Sequence, residues 1–325
     1  MTLAVAPPRL ETHAKRALRA PLGLAAVSRL TLRPPPAGVG GRTWLIYADG
    51  APVGVLRALH SRRRLLRLRE ASARLLATGV PVARVLWSDA SLLGRLRCGA
   101  YLMVEEHFEG APWVATAGRP RAVHPLAGAL ARLHGSRHAA WGTLGRARRW
   151  FYGGFRLRQV RGQLHRLHRH GALSRAECRT LYAPFAAWRR RLDALRGFHL
   201  IHNDLHPENV LVSPDGALRL IDLYRLRFDC REKDLAAVCG RLLRFDRAAA
   251  RAFEEAYEGA GGEAPDQRLL EFELAALCVA RWRWQVEQAA RRADEAVGRS
   301  ILDEARRWRE WSLERVGGLQ PPAAG

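Results

Sequence analysis

The sequence predicts an α+β chain, with a small, mainly β region in its N-terminal third and a larger, mainly helical region after it. Three observations predict this. Short β-rich runs joined by turn residues cluster before residue 110, helical-period apolar patterns fill the chain after residue 233, and the stretch HLIHNDLHPENVLVSPDGALRLIDLYR, residues 199–225, sets a polar loop and a hairpin between them. With 325 residues and 48% hydrophobic content, the chain can bury a sizeable core.

Taken in order, residues 1–37 end in Pro34-Pro35-Pro36 and read as an extended lead-in that cannot be helical at its end. Glycines 38, 40 and 41 precede a strand from about Arg42 to Ala48, an Asp49-Gly50 turn and a second strand from Val53 to Leu59. Glycines beside a hairpin let backbone N–H groups approach phosphates, so Gly38, Gly40 and Gly41 are candidate nucleotide-binding positions. A helix follows from about Arg62 to Ala77, with Leu65, Leu68, Leu75 and Leu76 at helical spacing and Gly79 and Pro81 as its stop. Strands are expected at Val82 to Trp87 and Arg95 to Val104, then a connector of Glu105, Glu106 and His107 whose backbone can face an adenine. The final third reads as helices at Lys233 to Phe245, Ala248 to Tyr257, Gln267 to Ala290 and Asp294 to Val316. Trp282, Trp284, Trp308 and Trp311 fit packing of that helical region better than a membrane interface.

The central stretch carries chemistry. Transfer of a phosphoryl group to a hydroxyl needs a carboxylate to orient the hydroxyl and take its proton, and oxygen ligands to fix Mg2+ against the phosphates of ATP. Asp204 sits on the loop after the apolar run Phe198 to Ile201, with Asn209 five residues on and Pro207 stiffening the turn between them. Val210 to Val212, the Pro214-Asp215-Gly216 turn and Leu218 to Ile221 make a hairpin that returns Asp222 beside Asn209, where a hard cation would be held by oxygen. These residues give a catalytic base, Asp204, and two metal ligands, Asn209 and Asp222. His202 reads as a buried brace of the loop.

The glycine-rich hairpin, Arg57, Glu70, GVPVARVL, EGAP, HNDLHPENVLV and LIDLYR resemble the protein-kinase-like superfamily over residues 38 to 240. That resemblance implies a bilobal kinase-like fold, with an N-lobe at 38–110, a C-lobe at 111–316 containing a helical insert at 135–198, and a tail at 317–325. GRTWLIYADG with VLRAL, and IDLYRLRF with KDLA, look most like the lipopolysaccharide kinases of the Kdo/WaaP family, which includes 3-deoxy-D-manno-octulosonic acid kinase. The resemblance implies Asp204 as catalytic base, Asn209 and Asp222 as magnesium ligands, Arg57 and Glu70 as the pair that aligns nucleotide phosphates, and Asp234 as a bracing residue. Arginine at position 57 is a departure, since its planar fork is larger than a lysine head. The long segment between His134 and His202 is a second departure and is more like the aminoglycoside and choline phosphotransferases.

Only eleven residues separate Asp222 from Asp234, too few for a platform that docks a peptide, so a small molecule or glycan is the expected acceptor and no protein substrate is expected. The insert 135–198 holds fifteen arginines against Glu177 and Asp193, and the whole chain has 54 basic and 31 acidic residues, a net charge of +23. An anionic acceptor is favoured, with Arg225, Arg227 and Arg231 as candidate grips for its carboxylate or phosphate. The alternatives are an aminoglycoside- or choline-type phosphotransferase and a nucleotide-binding pseudokinase. No nucleic-acid module is recognised. Five cysteines without a CxxC pair, no cleaved signal and no apolar run of about 18 residues point to the cytoplasm, with a peripheral position on an anionic membrane surface as a further expectation.

Overall fold

Leu10, Ala14 and Leu18 recur every fourth residue, which sets them on one helical stripe, and helix α1 (Pro8–Leu18) buries all three. The lead-in expected to be extended therefore contains a helix, followed by strand β1 (Leu30–Arg33). The computed structural model describes residues 8–18, 22–23, 29–35, 42–113, 122–144, 146–148, 150–291 and 295–320. Gly38, Gly40 and Gly41 lie outside the described residues.

The chain continues through β2 (Thr43–Ala48), β3 (Ala51–Leu59), α2 (Arg62–Ala77), β4 (Val85–Asp89), α3 (Leu92–Cys98), β5 (Tyr101–Glu106) and β6 (Ala111–Pro112). Residues 95–98, expected in a strand, are helical. The Ser91 side chain accepts the Gly94 N–H at the start of α3, and Gly99 at φ 69° closes its end, so capping chemistry outweighs the apolar run. Helix α4 (Val123–His134) leads to β7 (Arg137–His138), β8 (Trp141–Thr143) and β9 (Arg146–Arg148), and then to α5 (Tyr152–Arg169), α6 (Arg175–Ala186) and α7 (Arg189–Ala194). The insert expected to be helical thus begins with short strands. After β10 (Phe198–Ile201), β11 (Val210–Val212), β12 (Leu218–Leu220) and β13 (Arg227–Asp229) come α8 (Glu232–Ala237), a π-helical turn at Val238–Leu242, α9 (Arg247–Gly259), α10 (Gln267–Ala290) and α11 (Glu295–Gly317).

Two compact units emerge: Met1–Ala129 with Glu208–Tyr224, and Leu130–Pro207 with Arg225–Gly325. In the first, a sheet of order β1-β2-β3-β5-β4 is antiparallel throughout, and β12-β11-β6 forms a second small sheet. Period-two alternation along β3 sends Gly54, Leu56 and Ala58 to the face that packs with Leu10, Trp44 and Ile46. Val55 and Arg57 therefore point to the other face, where Tyr101 and Met103 of β5 meet Leu65 of α2.

The second unit holds the sheet β7-β10-β13-β8-β9 and a helical core. Phe185, Trp188 and Phe272 stack within it, and Trp282 and Trp308 are buried there too, leaving Trp284 half exposed. Inside the core, the Arg156 guanidinium makes two bonds to Glu273, both residues being under one-tenth exposed. Burial works against the charge of Arg156, but the Glu273 carboxylate raises its pKa above the ordinary arginine range. Breaking such a pair strands a buried charge, whereas replacing both partners removes it. Glu273→Leu alone is expected to lower stability by about 3–5 kcal/mol, and Arg156→Met with Glu273→Leu to recover most of that loss; urea unfolding curves of the three proteins measure it, and an equal loss in the double variant would refute a stranded charge as the cause.

Candidate active site

The loop that carries Asp204 belongs to the second unit. Strand β10 ends at Ile201, and the backbone turns through Asn203 at φ 63°, a left-handed conformation that asparagine tolerates. Its N–H groups, which no strand pairs, are captured by Asp234: one carboxylate oxygen accepts from His202 N at 2.7 Å and the other from Asn203 N at 2.9 Å. His134 lies 3.4 Å from the same carboxylate through Nε2, and its Nδ1 is 2.9 Å from the Tyr257 hydroxyl. The Asn203 side chain accepts from Lys233 Nζ at 2.8 Å, and Lys233 also reaches the fully buried Asp229 at 3.0 Å. Burial opposes the Asp229 charge, yet Lys233, Arg227 and Arg156 hold its pKa far below the carboxylate range. His202 is fully buried beneath the loop. The loop thus presents Asp204 from a backbone tied down on both sides.

Two arginines approach Asp204. Arg225 Nε lies 3.4 Å from one oxygen and Arg241 Nη1 3.8 Å from the other. Arg241 was not anticipated from the sequence. It lies in the π-helical turn Val238–Leu242, where the ordinary helical period that the sequence suggests does not apply. Arg227 and Arg231, expected to grip an acceptor, are committed inside the protein. Arg227 pairs with Asp229 at 3.0 Å and lies over the Phe155 ring, and Arg231 bonds Glu263 at 2.7 Å and the Ala264 carbonyl at 2.8 Å. Carboxylates and a carbonyl brought in by the fold occupy both guanidinium groups, and only Arg225, with half its side chain exposed, keeps the expected accessibility.

Arg57, Glu105, Asn209 and Asp222 belong to the first unit. Strands β11 and β12 pair in the register Val210↔Leu220, and Ile221 N donates to the Asn209 carbonyl at 3.0 Å, which closes the hairpin and sets Asp222 next to Asn209. Asp222 takes a φ of 64°. Arg57 donates from Nε to Glu105 at 2.7 Å and from Nη1 to Asp222 at 3.1 Å. Burial disfavours its charge, but these two carboxylates raise its pKa above the ordinary arginine value. Glu70 is not its partner. At about 100° per residue it falls on the side of α2 away from Leu65, Ser72 and Leu75, is exposed, and bonds Arg74 one turn on at 2.6 Å. The Glu105 side chain holds Arg57, while its backbone pairs with Val55 and Val85. His107 lies just beyond β5, half-buried, with its pKa lowered by burial against the pull of Glu109.

The donor set suits magnesium. Asn209 and Asp222 offer an amide and a carboxylate oxygen at adjoining hairpin ends, and a small hard cation uses one or two such protein ligands when phosphates complete its shell. Among the described residues no group of three His, Cys, Asp or Glu could hold a metal ion by itself. Arg57 beside them supplies fixed positive charge of the kind phosphates require.

The α+β fold with these elements is that of a kinase-like phosphotransferase. A family model matches residues 31–272, and the chain belongs to that family, the APH phosphotransferase enzyme family. The match does not single out the Kdo/WaaP branch expected from the GRTWLIYADG and IDLYRLRF stretches. Among solved structures, the chain is similar to LicA in complex with AMP, at 16% identity and TM-score 0.57, covering 97% of this chain and 100% of that one. It is similar to a choline/ethanolamine kinase family protein from Mesorhizobium loti, at 18% identity and TM-score 0.60, covering 94% and 99%. It also resembles the spectinomycin phosphotransferase APH(9)-Ia with ADP and spectinomycin, at 14% identity and TM-score 0.60, covering 97% and 100%. No curated protein matches in sequence. No helix among the described residues is long and apolar enough to cross a membrane.

The Asp234 clasp has a pH signature. Burial would raise its pKa, but the His134 hydrogen bond, the nearby His202 and the Asn203 N–H hold it below the usual carboxylate value. A depressed folded pKa contributes stability that is present above the unfolded pKa of about 3.9 and is lost as the pH falls through the folded value. The stability gap between the native chain and Asp234→Asn is therefore expected to be widest near neutrality and to narrow below about pH 4. Urea titrations at stepped pH measure it; a gap unchanged in acid would mean that the carboxylate charge does not hold the loop.

Proposed function

We propose that the chain is an ATP- and Mg2+-dependent phosphotransferase acting on a hydroxyl of a small anionic sugar, of the Kdo or heptose kind found in lipopolysaccharide core. The observation that carries the acceptor class is the environment of Asp204, which has Arg225 at 3.4 Å and Arg241 at 3.8 Å. A hydroxyl brought to that carboxylate arrives in a positive field, which attracts a phosphorylated or carboxylated sugar and repels a polycation.

In this reading Asp204 orients the hydroxyl and takes its proton, Asn209 and Asp222 hold the magnesium, and Arg57 meets the nucleotide phosphates. Magnesium, when bound, neutralises charge on the phosphates and aligns them. Gly38, Gly40 and Gly41 remain candidate phosphate-binding positions from the sequence, and the backbone of Glu105 to His107 would face the adenine. AMP and ADP in similar structures support an adenine nucleotide. Choline kinases and aminoglycoside phosphotransferases among those structures favour a second reading, transfer to a cationic small molecule. A peripheral place on the inner face of the cytoplasmic membrane, where such a glycolipid acceptor is met, belongs to the same proposal; the surplus positive charge of the chain supports it.

Mass spectrometry of the purified chain with ATP, magnesium and a panel of acceptors is the test. Phosphate is expected on Kdo-lipid A or a heptose phosphate; transfer confined to an aminoglycoside or choline would replace the anionic reading, and nucleotide binding without any transfer would make the chain a pseudokinase. Asp204→Asn is expected to lower kcat by about 10²- to 10⁴-fold, the range for a positioned general base. Arg225→Gln is expected to raise KM for the anionic acceptor more than it lowers kcat, and an unchanged KM would remove Arg225 from the acceptor site.

A further inference from the structure

The carboxylate that positions a phosphate-binding cation can come from a helix or from the sheet itself, and the choice is visible around Arg57. Strands β3 and β5 pair with Val55 opposite Glu105 and Arg57 opposite Met103. Arg57 and Glu105 are therefore diagonal neighbours on one face of the sheet, a separation that two long side chains bridge. The bridge is made at 2.7 Å, with the Arg57 and Glu105 side chains 16% and 13% exposed. Helix α2 offers only one carboxylate, Glu70, and it is 62% exposed and bonded to Arg74.

Resting on the phosphotransferase reading above, we propose that Glu105 is the positioning residue for Arg57 in nucleotide binding, and that Glu70 has no part in it. The planar fork makes this arrangement possible. Its Nε edge is held by Glu105 while Nη1 extends to Asp222 at 3.1 Å, so one side chain joins the sheet to the hairpin that carries a metal ligand. An ammonium group donates from a single nitrogen and lacks the planar fork's separated donors. Each partner also depends on the other for burial, because removing one leaves a largely desolvated charge uncompensated. Glu105 is thus fixed by the sheet register, and the direction of the Arg57 fork follows from it.

The test is calorimetric binding of Mg-ADP and of adenosine to the full chain and to Glu105→Gln, Glu70→Gln, Arg57→Gln and the Arg57→Gln/Glu105→Gln double variant. Glu105→Gln is expected to weaken Mg-ADP about tenfold or more, as loss of a supporting partner does, and to leave adenosine unchanged. Glu70→Gln is expected to bind both as the native chain does. In the double variant the Arg57 and Glu105 effects are expected to be non-additive, as for groups acting as a unit. Equal weakening of adenosine would mark Glu105 as merely structural, and a native-like Glu105→Gln or an ADP-deficient Glu70→Gln would also overturn the proposal. If the native chain binds adenosine and Mg-ADP and only the Glu105 pattern fails, this inference falls alone; if the native chain binds no nucleotide, the phosphotransferase reading falls with it. Should Glu105→Gln not fold, Glu105→Asp, which keeps the charge but shortens the reach, gives the same comparison, with loss for Mg-ADP and not adenosine expected and no loss counting against the proposal.

Discussion

The two hydrogen bonds from the backbone of His202 and Asn203 to Asp234 are the constraint on which the catalytic loop depends. The loop has to leave strand β10, hold Asn203 in a left-handed conformation and still keep its buried N–H groups satisfied. A single carboxylate answers both needs, because its two oxygens accept from successive residues. That carboxylate is itself buried, so it has to be held in turn by His134, which is linked to Tyr257. Helices α4, α8 and α9 each supply one member of this chain. Asp204, the next residue along, inherits its position from groups that would never touch a substrate.

Lysine and arginine are used differently in the two units, and the difference follows from shape. Lys233, one of only two lysines, sits between Asn203 and Asp229, where a compact ammonium can donate in diverging directions within a confined space. Arg57 bonds two carboxylates from different nitrogens of its guanidinium, a task suited to a fork. The arginine-rich composition is therefore not uniform drift laid over indifferent positions. At these two places the geometry distinguishes the cations.

Much of the fold and part of the site were legible from the chain. The loop and hairpin of residues 199–225 carried their own turn chemistry, and α2 and α10 begin and end where caps and periodicity set them, with Ser61 and Asp266 as N-caps. Helix α3 was missed because a seven-residue stretch, LLGRLRC, is too short for its period to tell a strand from a helix unless the serine before it and the glycine after it are weighed. The outward position of Glu70 could have been read from the helical wheel; the alignment of Glu105 with Arg57 could not, since it depends on which residue of β5 faces which residue of β3. The internal partners of Arg227 and Arg231 were hidden for the same reason. Asp229 is close in sequence, but Glu263 is thirty-two residues from Arg231 and arrives only through the fold.

That loss of two candidate arginines changes what the net charge of +23 can mean. Many basic residues are balanced locally: Arg156 by Glu273, Arg189 by Asp193, Arg191 by Asp266 and Arg137 by Glu263, all within the same helical unit. The insert's fifteen arginines therefore do not add up to a single field, and exposed charges beyond about 8–10 Å from the chemistry are screened at physiological salt. What an acceptor hydroxyl experiences at Asp204 is set by the few charges within a few ångströms. There Arg225 lies 3.4 Å and Arg241 3.8 Å from the Asp204 carboxylate. The charge around Asp204 is thus a matter of its near neighbours, and the overall surplus of arginine does not decide it.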